Sequence, residues 1–168
     1  MVQILHANKV TVMSDTTNIF VSHIHEDDTH IEAMKTLLTN KGHSVRDSSI
    51  DSASPNQAKD PDYIKSGILA PRIAWASTMV VLVSPGTKDS SWVEWEIEQA
   101  QRTGKRIVGV WTHGAAECDI PEALERYADA IVGWQADRIQ GAITGEINDW
   151  ETSEGQAREQ RPIARYSC

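Results

Sequence analysis

From Asn18 onward, short apolar runs alternate with longer stretches in which apolar residues recur at helical spacing. That alternation marks parallel strands joined by crossover helices and predicts an α/β fold. Ile19-Phe20-Val21 reads as the first strand, and the helix from about Thr29 to Asn40 carries Ile31, Met34, Leu37 and Leu38 on one face before Gly42 ends it. A brief second strand near His43–Arg46 runs into DSSIDSASPNQAKD, which has little to bury and reads as a long loop. Asp60-Pro61 combines an N-cap residue with proline at the first helical position, opening a helix through Ile64 and Ile68 that Pro71 kinks or divides. Thr78–Val83 is almost continuously β-branched, as expected of a central strand covered on both faces, and Ser84-Pro85-Gly86 ends it. A helix at Trp92–Arg102, a strand at Arg106–Trp111, a short helix from Pro121, a strand at Ala130–Val132 and a helix at Ala136–Ile147 complete the pattern. Five β/α units with right-handed crossovers make a flavodoxin-like, doubly wound parallel sheet of order 2-1-3-4-5. The expected organisation is an N-terminal extension over residues 1–17, one domain over 18–149 and a polar, loosely held tail over 150–168.

In such sheets ligands bind at the carboxyl ends of the strands, beside the switch point between the first and third. That rule selects residues 22–28, the loop 47–60 and residues 84–96. The helix that begins SSWVEWEIEQAQR holds three glutamates, which rotation at about 100° per residue separates. Val93, Ile97 and Ala100 define its buried stripe. With Ser91 as N-cap, Glu94 completes a Ser-x-x-Glu capping box, and Glu98 stands four residues before Arg102, in the favourable order for an exposed pair. Glu96 has no such partner: it projects about 60° from Val93, on the flank of the core. A carboxylate placed there is either partnered by a non-local group or reserved for a ligand. Trp92 and Trp95 are expected on different faces of this helix, with Trp92 on the flank of Glu96 and therefore on the ligand side.

Composition narrows the function classes. The 168 residues are 40% hydrophobic and 24% charged, which is ordinary globular usage for a single domain. No apolar run approaches the roughly 18 residues needed to cross a bilayer, and the start lacks a signal-peptide pattern, so a cytoplasmic protein without a membrane partner is expected. A net charge of −8 repels phosphate backbones and argues against nucleic acid as a partner. Cys118 and Cys168 can form neither a disulfide framework nor a four-ligand zinc site.

Four blocks, IFVSHIHEDD, DSSID, DYIKSGILAPRIAWASTMVVLVSPGT and SSWVEWEI, occur in one order with consistent spacing. Together, from about Asn18 to about Ile147, they resemble the bacterial TIR-like family of stand-alone domains found in anti-phage defence. In that family a Trp-Val-x-x-Glu motif supplies the glutamate that cleaves NAD, and the motif maps here onto Trp92-Val93-Glu94-Trp95-Glu96. The resemblance thus implies Glu96 as the catalytic residue, the same carboxylate the rotation arithmetic isolates. It also implies that Ser22, His23 and His25 after the first strand, Asp47, Ser48 and Ser49 in the long loop, and Ser84 with Trp92 line the nucleotide side. NAD enters as substrate, with no cofactor. Family members in the two-component Thoeris defence system make an ADP-ribose-derived signal read by a separate effector protein, and many TIR domains self-associate.

Other readings compete. His23-Ile24-His25-Glu26-Asp27-Asp28 invites comparison with a two-metal His-x-His-x-Asp-His motif, but its last histidine is replaced by Asp28 and no further ligand pattern follows, so no metal is expected. Asp27 and Asp28 read as helix-start residues, with Thr29 and Glu32 as a capping box. No Gly-x-Gly-x-x-Gly follows the first strand. The remaining alternatives are a non-catalytic TIR interaction module and a nucleoside glycosidase or deoxyribosyltransferase, which also sets a carboxylate against a ribose.

Overall fold

The computed structural model describes residues 16–49 and 60–159. The expected placements of residues 1–15, of loop residues 50–59 and of residues 160–168 lie outside the described residues. Five parallel strands, β1 (Asn18–Ser22), β2 (Ser44–Asp47), β3 (Thr78–Val83), β4 (Arg106–Trp111) and β5 (Ala130–Val132), form one sheet in the order β2-β1-β3-β4-β5. This is the α/β, flavodoxin-like doubly wound architecture the hydrophobic pattern predicts.

The sheet is the middle of three layers because successive side chains point to opposite faces. Phe20, Met79, Val81, Val83, Ile107 and Trp111 feed one core, under α3 (Ala70–Trp75), α4 (Ser91–Arg102) and α5 (Glu122–Tyr127). Ile19, Val21, Val80, Leu82, Val108 and Val110 feed the other, under α1 (Asp28–Asn40) and α6 (Ala136–Thr144). Every residue of β3 is buried, which accounts for its unbroken apolar run.

Pro71 lies in the first turn of α3, directly after a π-helical turn. The helix starts as α2 (Pro61–Tyr63), with Asp60 accepting from the Asp62 amide at 3.0 Å, and widens over Ile64–Leu69 into a π-helical turn before α3. The Ala70 amide reaches back five residues to the Lys65 carbonyl. Shifting the ladder in this way lets a residue without an amide hydrogen be carried in a continuous helix.

The segment after α6 departs from expectation. Rather than hanging loose, residues 150–158 fold back on the sheet: Trp150 and Glu151 are buried, Trp150 bridges Ile131, and Trp111 Nε1 donates to the Glu151 carbonyl at 2.9 Å. Glu151 Oε2 accepts from the Gly133 amide at 2.9 Å, and its other oxygen pairs with Arg138. The segment's polar composition hid two buried anchors. A single tryptophan here supplies the contact that an apolar run would otherwise provide.

Candidate functional site

The register pairs Ser22 with Val81, so β3 continues beyond the end of β1 by Leu82 and Val83, which pair with β4 instead. A step remains at the carboxyl end of β1, where the strand order reverses, and a cavity of about 540 Å³ opens there. His23, Ile24, His25 and Glu26 form one wall, Pro85, Gly86, Asp89 and Ser90 the opposite one, and Ile64, Leu69, Trp92 and Glu96 the flank and floor.

The loop after β3 turns through Gly86 at φ 100°, a left-handed conformation that glycine adopts without steric cost. α4 then begins with Ser90, not Ser91, as N-cap: Ser90 Oγ accepts from the Val93 amide at 3.2 Å. The expected Ser91–Glu94 capping box is therefore absent, and Glu94 instead accepts from the Ala123 amide at 3.0 Å, tying α4 to α5. Glu98 does pair with Arg102, at 3.5 Å. Trp92 and Trp95 are not on opposed faces. Three residues apart, they lie about 60° from each other, both flank the same core, and Lys65 Nζ sits 5.3 Å and 5.6 Å from their ring centres.

Glu96 lies in the buried stripe beside Val93, Ile97 and Ala100, only 2% exposed. Burial pushes its carboxyl up from 4.5 to about 8, against the lowering influence of the Ser22 hydroxyl and the Arg72 charge. Although that hydroxyl is near enough to favour the anion, Ser22 Oγ and Glu96 Oε2 are each buried without a hydrogen-bond partner. An orphaned buried carboxylate oxygen costs about 1–3 kcal/mol or more, and this one belongs to a residue that lines the cavity.

His23 is buried at the mouth of β1 between two serines. Ser48 Oγ is 3.0 Å from its Nδ1 and accepts from its backbone amide at 3.2 Å, while Ser49 Oγ and Asp28 Oδ1 lie 3.4 Å and 3.6 Å from its Nε2. His25 Nδ1 meets Asp28 Oδ2 at 2.7 Å, with its side chain 92% exposed at the rim. Asp47 does not reach the cavity. Burial raises its carboxyl, but hydrogen bonds from Lys35 and from Ser49, together with the Lys35 charge, outweigh that and hold it below the usual range.

Ser84 is also turned away, donating to Asp27 Oδ2 at 2.7 Å while its amide donates to Thr87 Oγ1 at 3.0 Å. Asp27 stands at the helix start as expected, at the N-cap position of α1, but its side chain makes no capping bond; it is buried, with its carboxyl raised by desolvation against the Ser84 bond and the His30 and His23 charges. It joins the two walls of the cleft. The Thr29–Glu32 capping box is likewise replaced, since Glu32 faces Lys35 at 3.4 Å.

Of the residues singled out in the sequence, Glu96, His23, His25, Ser48 and Trp92 line the cavity, and Ser22 faces Glu96 from below. Asp47, Ser49 and Ser84 support the walls. Ile24, Ile64, Leu69 and Gly86 also line the cavity and carry no distinctive chemistry that a sequence could advertise. Arg72 was missed because its action is non-local: Nη1 donates to the Asp47 and Ser49 carbonyls at 2.8 Å each.

The backbone is similar to a conserved protein from Enterococcus faecalis V583 (TM-score 0.57, 12% identity, covering 79% of this chain and 99% of that one). It is also similar to the Clostridium botulinum CMP N-glycosidase BcmB (TM-score 0.50, 14% identity, 77% and 99%). At these identities the likeness is one of fold. Among curated proteins the sequence has no match. A family model described as "Thoeris protein ThsB, TIR-like domain" matches residues 20–117, more than half of the 168-residue chain. That match spans β1 to the loop after β4 and so takes in every wall of the cleft, and the chain belongs to the ThsB TIR-like domain family.

Proposed function

We propose that this TIR-like domain consumes NAD, cleaving the bond between nicotinamide and ribose and giving an ADP-ribose-derived product, cyclic or conjugated, that signals to a separate effector in anti-phage defence. The observation that carries the reading is Glu96: a buried carboxyl with an unpartnered oxygen on the wall of a cavity at the switch point of the sheet. Family membership and the position of Glu96 in the Trp-Val-x-x-Glu motif support it. A fold neighbour named as a CMP N-glycosidase is compatible with chemistry at a ribosyl C1′.

Cleavage expels neutral nicotinamide from a cationic ring and leaves an oxocarbenium-like ribose. The C1′–N bond breaks with its electron pair on nicotinamide, and positive charge moves onto the sugar. A carboxylate beside that sugar stabilises the charge more in the transition state than in the ground state, because a buried site screens it little. In the free protein the raised Glu96 is mostly protonated at pH 7. The pyridinium of NAD, entering the cavity beside Glu96, favours the ionised form, so substrate binding and carboxylate formation reinforce each other. Trp92 offers an aromatic face to the departing ring, and His23 with Ser48 forms the polar wall on the ribose side.

The test is to incubate the purified protein separately with NAD, CMP and free nucleosides and to resolve the products by chromatography and mass spectrometry. The reading expects nicotinamide and an ADP-ribose-derived product from NAD alone. Cleavage of CMP or nucleosides with NAD intact would instead assign a nucleoside glycosidase, and an untouched set of substrates would favour an interaction module.

A further inference from the structure

Arg72 lines no part of the cavity, yet two independent features tie it to the cleft. Its Nη1 donates to the carbonyls of Asp47 and Ser49, 2.8 Å each, so α3 grips the strand end that presents Ser48 and Ser49 to His23. Two bonds from a permanently charged donor onto backbone carbonyls are strong by the standard of neutral ones. The same guanidinium exerts a favourable charge on Glu96, whose Oε2 is otherwise unpartnered.

The surrounding charges make this cation consequential. From β2, Asp47 opposes ionisation of Glu96, and the Lys35 ammonium of α1 is paired with Asp47 on its far side. Across the cavity stand His23, His25, Glu26 and Asp89. No lysine or arginine is among the described lining residues of the cavity, so the cationic influence on its floor comes from behind the wall.

We infer that Arg72 is a positioning residue of this cleft: its bonds to the 47–49 backbone fix the His23–Ser48 wall that stands with Glu96 around the cavity. Its part in turnover rests on the reading of Glu96 under Proposed function; the positioning itself is read without turnover. It also explains why a basic residue sits in the otherwise apolar run Ile68–Trp75 without an acidic side-chain partner among the described residues: its nitrogen is spent on backbone carbonyls.

The experiment follows the Glu96 carboxyl directly. Protein labelled with carbon-13 at the glutamate side-chain carboxyls is titrated by NMR, with the Glu96 resonance assigned by its absence in Glu96→Gln. In Arg72→Gln the proton affinity of Glu96 should rise about tenfold, the effect of losing one partly screened neighbouring charge. Arg72→Met, which keeps the aliphatic stem, should show the same rise, so the inference remains testable if one neutral variant fails to fold. Arg72→Lys keeps the charge and should titrate close to wild type. Hydrogen exchange at the Ser48 and His23 amides, which donate to the Val21 carbonyl and to Ser48 Oγ, should quicken in both neutral variants. Unchanged exchange at the Ser48 and His23 amides in both neutral variants would overturn the inference, whatever happens to NAD. Quickened exchange in variants of a protein whose wild type leaves NAD intact would uphold the positioning role and overturn the proposed reaction instead.

Discussion

Replacing Glu96 with glutamine removes the charge but keeps the size and much of the hydrogen-bonding capacity of a group buried on the cavity floor. The carboxyl rises from 4.5 to about 8 on folding. A raised acid binds more protons in the folded than in the unfolded state. Its contribution to stability is therefore fully present below pH 4.5 and is lost progressively as pH rises through about 8. At pH 7 the unfolded chain ionises this group freely while the fold resists, a penalty of about 3 kcal/mol; at pH 5 the same linkage gives under about 1 kcal/mol. Glu96→Gln escapes that penalty. Urea denaturation of both proteins at pH 5 and pH 7 should show the variant gaining about 2 kcal/mol relative to wild type between the two. All other titrating groups are common to the two proteins and cancel in the comparison. Parallel stabilities at both pH values would refute the account of Glu96 as a strained, ligand-reserved carboxyl.

Further substitutions at four positions test the walls and the frame. Asp27→Ala and Ser84→Ala each break the 2.7 Å bond between the two sides of the cleft and should cost about 1–3 kcal/mol; the double variant should cost little more than either, as read by a double-mutant denaturation cycle. Gly86→Ala places a methyl at φ 100°, 3.6 Å from Ile24 Cδ1. It should lose about 1–2 kcal/mol through the left-handed backbone, measured by thermal melting, and raise KM for NAD more than it lowers kcat. Trp150→Ala should cost about 3–5 kcal/mol as a buried aromatic truncation, whereas Trp150→Phe should fall within about 1.5 kcal/mol because the indole Nε1 has no partner to lose.

Most of the fold was legible because each element carries its own periodicity. The run at Thr78–Val83 announces a strand covered on both faces, and Ile31, Met34 and Leu38 announce the buried side of α1. Glu96 was legible for the same reason: rotation about α4 places it next to a stripe defined by its own neighbours. What was hidden depends on contacts between distant segments. Ser90 and Ser91 are both competent caps, and only the path of the chain after Gly86 selects the first. Asp27 looks like a helix-start acid until β3 brings Ser84 against it from 57 residues away. The separation assigned to Trp92 and Trp95 came from treating positions three apart as different faces, when they are neighbours on a helix. Arg72 left no trace in the sequence because its partners are main-chain carbonyls, which every residue has. The segment after α6 read as loose because composition averages over it, while buried Trp150 and Glu151, with Arg158 paired to Glu117 and Glu125, hold it down.

The central claim is that Glu96 acts on the ribose of NAD, and the rate of nicotinamide release by wild type and Glu96→Gln, measured side by side at saturating NAD, tests it most directly. The account predicts release by the wild type and a loss of about 100-fold or more in the variant, the scale of one preorganised electrostatic contact in a dry site. Equal rates in the two proteins would contradict it.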